Sequence, residues 1–117
     1  MAEIKKIYRG ESQTLVFAFS ETYDMGRIES HAVYIGNNAF TGVVNGQTIV
    51  LKLKSEDTGA MPGLHKVWLW IDDTTLGVRK PYCGDLLIEY TNANTGNECI
   101  SNISDIIIPI AISETTI

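Results

Sequence analysis

The chain has 117 residues, 44% of them hydrophobic and 20% charged, which suits one compact folded domain spanning 1–117. Its formal net charge of −5 offers no basic face for nucleic acid. No apolar run approaches the roughly 20 residues of a membrane-spanning helix, so neither nucleic acid nor membrane is an expected partner.

The start, MAEIKKIYRGES, has lysines but no apolar core behind them, so no secretion signal is read there. Ile4 to Tyr8 forms a short first strand, and Gly10-Glu11-Ser12 turns the chain. From Thr14 to Ser20 the residues alternate with period two. Leu15, Phe17 and Phe19 share the larger, core-facing side, and Thr14, Val16 and Ala18 share the other. Glu21 to Ser30 is polar and reads as a connection before a strand from His31 to Ile35, which Gly36-Asn37-Asn38 stops.

Asn45-Gly46 between two β-rich runs predicts a hairpin of Ala39–Val44 with Gln47–Lys54. A two-residue turn centred there sets Val44 opposite Gln47, Gly42 opposite Ile49 and Phe40 opposite Leu51. Ile49, Leu51 and Leu53 then face inward with Phe40, while Lys52 and Lys54 face water. Ser55 to Gly63 reads as a loop.

The central strand runs from Leu64 to Ile71. His65, Val67, Leu69 and Ile71 lie on one side; Leu64, Lys66, Trp68 and Trp70 lie on the other. Both sides are largely apolar, so the tryptophan side needs cover from the chain itself or from a partner. Arg79 to Tyr90 follows as a strand whose Pro81 marks an edge or a bulge. Thr91 to Glu98 is a polar loop. The tail Ile106 to Ile112 puts Ile106, Ile108, Ile110 and Ile112 on one side, and Pro109 places it at a sheet edge. Roughly seven or eight short strands at even spacing predict an all-β fold: a single antiparallel β-sandwich of immunoglobulin-like type, with a small barrel as the alternative.

Chemistry-bearing residues are few. His31 and His65 fall inside strands and read as structural. Cys83 and Cys99 read as reduced, unrelated thiols, a disulfide between them being the alternative. Glu56-Asp57 and Asp72-Asp73 read as solvated turn residues, and the segment from Asn92 to Glu98 lacks the carboxylate spacing of a calcium loop. No phosphate-binding glycine motif or zinc spacing is present, so neither an enzyme nor a cofactor is expected. Trp68 and Trp70 read as core residues. The alternative is an exposed platform for a protein partner or, with Tyr34 or Tyr82, for sugar rings.

The order IKKIYRGESQTLVFAFS, EDTGAMPGLHKVWLWIDD, CGDLLIEY resembles the N-terminal β-sandwich module of phage baseplate upper proteins and related small tail and fibre domains. The matching elements are Gly10, Thr14 to Phe19, Thr58 with Pro62-Gly63, Leu64 to Ile71, and Gly84 to Tyr90, over about residues 3 to 90. The resemblance implies a non-enzymatic virion protein of tail, baseplate or fibre attachment, assembled in the host cytoplasm. Such a protein would work through other virion proteins and through self-association, and the family brings no catalytic residues. The candidate interaction surface is Trp68, Trp70, Ile107 and Pro109. The alternative is a glycan-binding β-sandwich module of a phage or bacterial surface protein.

Overall fold

A computed structural model describes residues 4–89 and 104–112. Among them the strands are β1 (Ile4–Tyr8), β2 (Gln13–Phe19), β3 (Ile28–Ile35), β4 (Asn38–Phe40), β5 (Val43–Asn45), β6 (Thr48–Leu53), β7 (Gly63–Asp73), β8 (Gly77–Glu89) and β9 (Ile106–Ile110). A five-residue helix, α1 (Ser55–Gly59), sits where a loop is predicted, and a 3-10 turn at Met25–Arg27 leads into β3. The protein is all-β. One sheet has the order β1-β8-β7-β3-β4 and the other β5-β6-β2-β9, and the two do not close into a barrel.

Period-two alternation builds the core. Ile7, Leu15, Phe17, Phe19, Val33, Ile35, Ile49, Leu51, Leu53, Val67, Leu69, Ile71, Leu86, Ile88, Ile108 and Ile110 are all buried in one cluster between the sheets. At about 1.5–3 kcal/mol for each fully buried large aliphatic or aromatic side chain, this layer dominates the stabilisation. The inward sides expected for β2 and β6 are the observed ones, and the shared sides read in β8 and β9 are buried at Leu86 and Ile88 and at Ile108 and Ile110.

Three expectations need correction. First, the sheets are mixed rather than antiparallel. β1 runs parallel to β8 (Ile7↔Ile88), and β2 runs parallel to β9 (Phe17↔Ile108). Alternation marks which side of a strand is buried but carries no direction, and parallel neighbours need long crossovers. Both pairs here join strands far apart in the chain.

Second, the hairpin is displaced. Asn45 pairs with Thr48 and Val44 with Ile49, so Gly46 and Gln47 form the turn and only Gly46 has positive φ, at 58°. Gln47 is held from outside the hairpin. Its Nε2 donates to the Ser20 carbonyl at 2.8 Å and the Tyr23 carbonyl at 2.9 Å, and its own carbonyl accepts from Phe19 N at 2.8 Å.

Third, the run 39–44 is split between the sheets. Phe40 pairs with Val33 in the five-stranded sheet, and the chain then crosses over at Gly42. A Cβ on Gly42 would stand 2.7 Å from the Val50 carbonyl oxygen, so only glycine allows this approach.

The proline readings hold. β8 shifts register against β7 between Leu69↔Tyr82 and Ile71↔Arg79, so Lys80 and Pro81 together face Trp70 as a bulge. β9 is the edge strand of its sheet, with Pro109 exposed.

Candidate interaction surface

The tryptophans lie outside the core. Val67, Leu69 and Ile71 take the inward side of β7, so Trp68 and Trp70 stand half-buried on the outer face of the five-stranded sheet. Trp68 is directly opposite Tyr34, their rings stacked with centroids 5.3 Å apart at 18°. Trp70 faces the small Ala32. Nothing among the described residues forms a second layer here. The core reading of these two residues is therefore corrected: a strand has one inward side, and the aliphatic set fills it.

Charge flanks the aromatic pair. Lys66 Nζ lies 2.8 Å from Asp85 Oδ1 across the strands, and that hydrogen bond holds the Lys66 ammonium above its ordinary pKa. Exposed Cys83 faces Trp68, whereas Cys99, and with it any pairing, lies outside the described residues. Tyr82 turns inward and meets Phe17 edge-on at 6.0 Å, so it is not part of an aromatic platform with Tyr34.

Ile107 and Pro109 lie on a different surface, the outer face of the four-stranded sheet. The structure thus separates the four candidate residues into two pairs on opposite sides of the molecule. Ile107 is 62% exposed and ends a row that crosses the whole sheet in register. Ile107 pairs with Val16, Val16 with Val50, and Val50 with Val43, itself 68% exposed. The next row is Pro109, Ala18, Thr48 and Asn45, and on the other side Thr14 faces Lys52. Lys52 is the one charged side chain among these positions. A solvated sheet face ordinarily carries polar residues, whereas this one keeps a full aliphatic row between rows that hold Thr14, Lys52, Thr48 and Asn45. Val43 and Val50 face outward in the predicted and the observed register alike; the two-residue difference between the registers hides only that they pair. The apolar outer side of β2, with Val16 and Ala18, is visible in the alternation.

The most organised polar cluster is structural in form. Asp73 is 1% exposed. Its carboxylate accepts from Tyr23 Oη at 2.7 Å, Arg27 Nε at 3.2 Å, Thr75 N at 2.7 Å and Leu76 N at 2.8 Å, and Arg27 Nη2 lies 3.1 Å away. Burial pushes its pKa up, but the hydrogen bonds from Tyr23, the two backbone amides and Arg27 together outweigh that and bring it to about 2. Asp73 is not the solvated turn residue expected, because it continues the inward side of Val67, Leu69 and Ile71. Asp57 lies within the first turn of α1, partly buried, where its carboxylate accepts from Lys54 N at 2.9 Å and caps the helix start.

Both histidines are partly buried in strands, and His65 Nε2 is 2.9 Å from the Met61 carbonyl oxygen. The loop from Asn92 to Glu98 lies outside the described residues. No group of three potential metal ligands occurs among the described residues. No protein-family model matches the chain, and comparison with curated proteins and with solved structures finds no match either.

Proposed function

We propose that this chain is a non-enzymatic assembly module of a phage virion, belonging to the tail, baseplate or a fibre attachment, that works by packing a sheet face against other virion proteins. The observation that carries the assembly part is the aliphatic row Val43, Val50, Val16 and Ile107, laid open across a full sheet. Large apolar patches on a protein surface mark contact sites. The virion setting rests on the order of sequence elements from Gly10 to Tyr90 described above. In this reading the two sheets are a variant of the immunoglobulin-like sandwich whose first and last strands run parallel to their neighbours.

The test is mass spectrometry of gradient-purified particles from cells carrying the gene. The chain is expected in the particles at fixed stoichiometry, and a Val16→Lys, Ile107→Asp double variant that still folds is expected to be missing from them. Particles free of the wild-type chain, or full incorporation of the double variant, refute the proposal.

The stacked Tyr34–Trp68 pair favours a second reading, a glycan platform on the opposite face. Titrating oligosaccharides against tryptophan emission separates the two. A saturable shift that Trp68→Ala abolishes supports the glycan reading, and an unresponsive spectrum removes it.

A further inference from the structure

We infer that the first occupant of the outer face of the four-stranded sheet is a second copy of this chain, stacked sheet on sheet about a two-fold axis running along the row Val43, Val50, Val16 and Ile107. The inference rests on the assembly reading above and names its partner.

The sheet edges are poorly suited to association. β9 carries Pro109, which lacks an N–H. β4 and β5 are three residues long, and β1 has adjacent lysines, Lys5 and Lys6. Prolines, short strands and lysines are the devices that blunt an edge against strand addition. Association therefore falls to the faces.

The outer face of the five-stranded sheet carries the pairs Lys66–Asp85 and Lys6–Glu89. Stacking it would strip water from four charges. The paired rows of the four-stranded sheet's outer face carry one charge, Lys52, in place of four. Each chain carries a net charge of −5, yet no carboxylate lies in the paired rows of this face, so two copies meet there without like-charge repulsion.

Charge also selects the axis. Lys52 and Lys54 are exposed at the end of the sheet where β6 finishes, together with Asp105 leading into β9; Glu21 is exposed just past the opposite end of β2. A two-fold axis along the strands would bring the lysines of both copies to the same end. An axis along the row reverses the strands and carries the lysine end of one copy over the Glu21 end of the other. It also lays each aliphatic row on its own counterpart, with the sheets about 10 Å apart.

Strands about 4.8 Å apart, with 3, 6, 7 and 5 residues in β5, β6, β2 and β9 at about 3.3 Å each, give roughly 330 Å² of face per copy and roughly 670 Å² for the pair. A stable specific interface buries roughly 1,200–2,000 Å², so this dimer is weak and concentration-dependent.

Analytical ultracentrifugation of the full chain, from about 5 μM to about 1 mM, reads the equilibrium. Wild type is expected to shift from monomer to dimer across that range. Ile107→Asp is expected to weaken the dimer about tenfold or more, and Leu64→Asp, on an exposed apolar residue of the other sheet, to leave it unchanged. At low salt Lys54→Glu and Glu21→Lys are each expected to weaken it roughly two- to fivefold, and the double reversal to restore it. All of these positions are exposed, so the variants are expected to fold. A wild type that stays monomeric at about 1 mM, or an Ile107→Asp chain that dimerises as well as wild type, overturns the inference. So does a double charge reversal that fails to rescue. Finding the chain in particles while it stays monomeric in solution would overturn this inference alone and leave the assembly reading standing with another partner.

Discussion

Replacing Asp73 by asparagine tests whether the Tyr23–Asp73–Arg27 cluster ties the chain around the start of β3 to the β7–β8 turn. The folded-state pKa of about 2, against an ordinary 3.8, corresponds to about 2 kcal/mol of stability. Because the folded value is depressed, this contribution is fully present above the unfolded pKa near 4. It fades as pH falls through the folded value near 2. The asparagine side chain would keep one oxygen acceptor but turn an amide donor toward donors already in place, and it would leave Arg27 facing no carboxylate. We therefore expect Asp73→Asn to cost about 2–4 kcal/mol at pH 7. Urea unfolding of both proteins at pH 7, 5, 4, 3 and 2.5 measures it. The wild-type curve is expected to drop toward the variant's as the medium acidifies, with most of the convergence below pH 4. Two stability curves that stay parallel from pH 7 to pH 2.5 would show that the carboxylate contributes no charge-dependent stability, and the reasoning would fail.

Two further substitutions test the joins between elements. Thr58 is fully buried; its hydroxyl accepts from Gly10 N at 2.9 Å and reaches the Glu11 carbonyl at 2.9 Å, so Thr58→Val is expected to cost about 1–3 kcal/mol by chemical denaturation. A cost below about 0.5 kcal/mol would mean that α1 does not depend on this link to the β1–β2 turn. Gly42→Ala puts a methyl 2.7 Å from the Val50 carbonyl oxygen and 3.0 Å from Ile49 Cγ2, so it should destabilise by about 1–3 kcal/mol. A wild-type midpoint for this variant would show that the crossover between sheets has slack the contact distances do not suggest.

What the alternation of side chains encodes, and what it leaves out, explains which features are legible in the sequence. Burial side is a local property, and Leu15, Phe17 and Phe19 or Leu86 and Ile88 declare it within one strand. Strand direction and sheet partner are not local. β1 and β8 meet across nearly the whole described chain, and nothing in IKKIY specifies which way its neighbour runs. The hairpin shows the same division at shorter range. Asn45-Gly46 signals a turn correctly, yet its register is settled by the contacts of Gln47 with the segment after β2, which lies outside the hairpin.

The same logic governs the candidate surfaces. Counting by twos from Val67 reaches Asp73, so its burial is available to the alternation; reading the acidic pair as a solvated turn weighs composition instead of position. Placing the tryptophans inside follows size, since large residues ought to be buried. Parity is the better guide. Once Val67, Leu69 and Ile71 fill the core, Trp68 and Trp70 must face out, whatever their hydrophobicity. The aliphatic row needs one more step. Val16 and Ile107 are each ordinary alone, and only the pairing of four strands brings Val43, Val50, Val16 and Ile107 into one line. An interaction face of this kind belongs to the sheet rather than to any of its strands, so no single segment of the chain can display it.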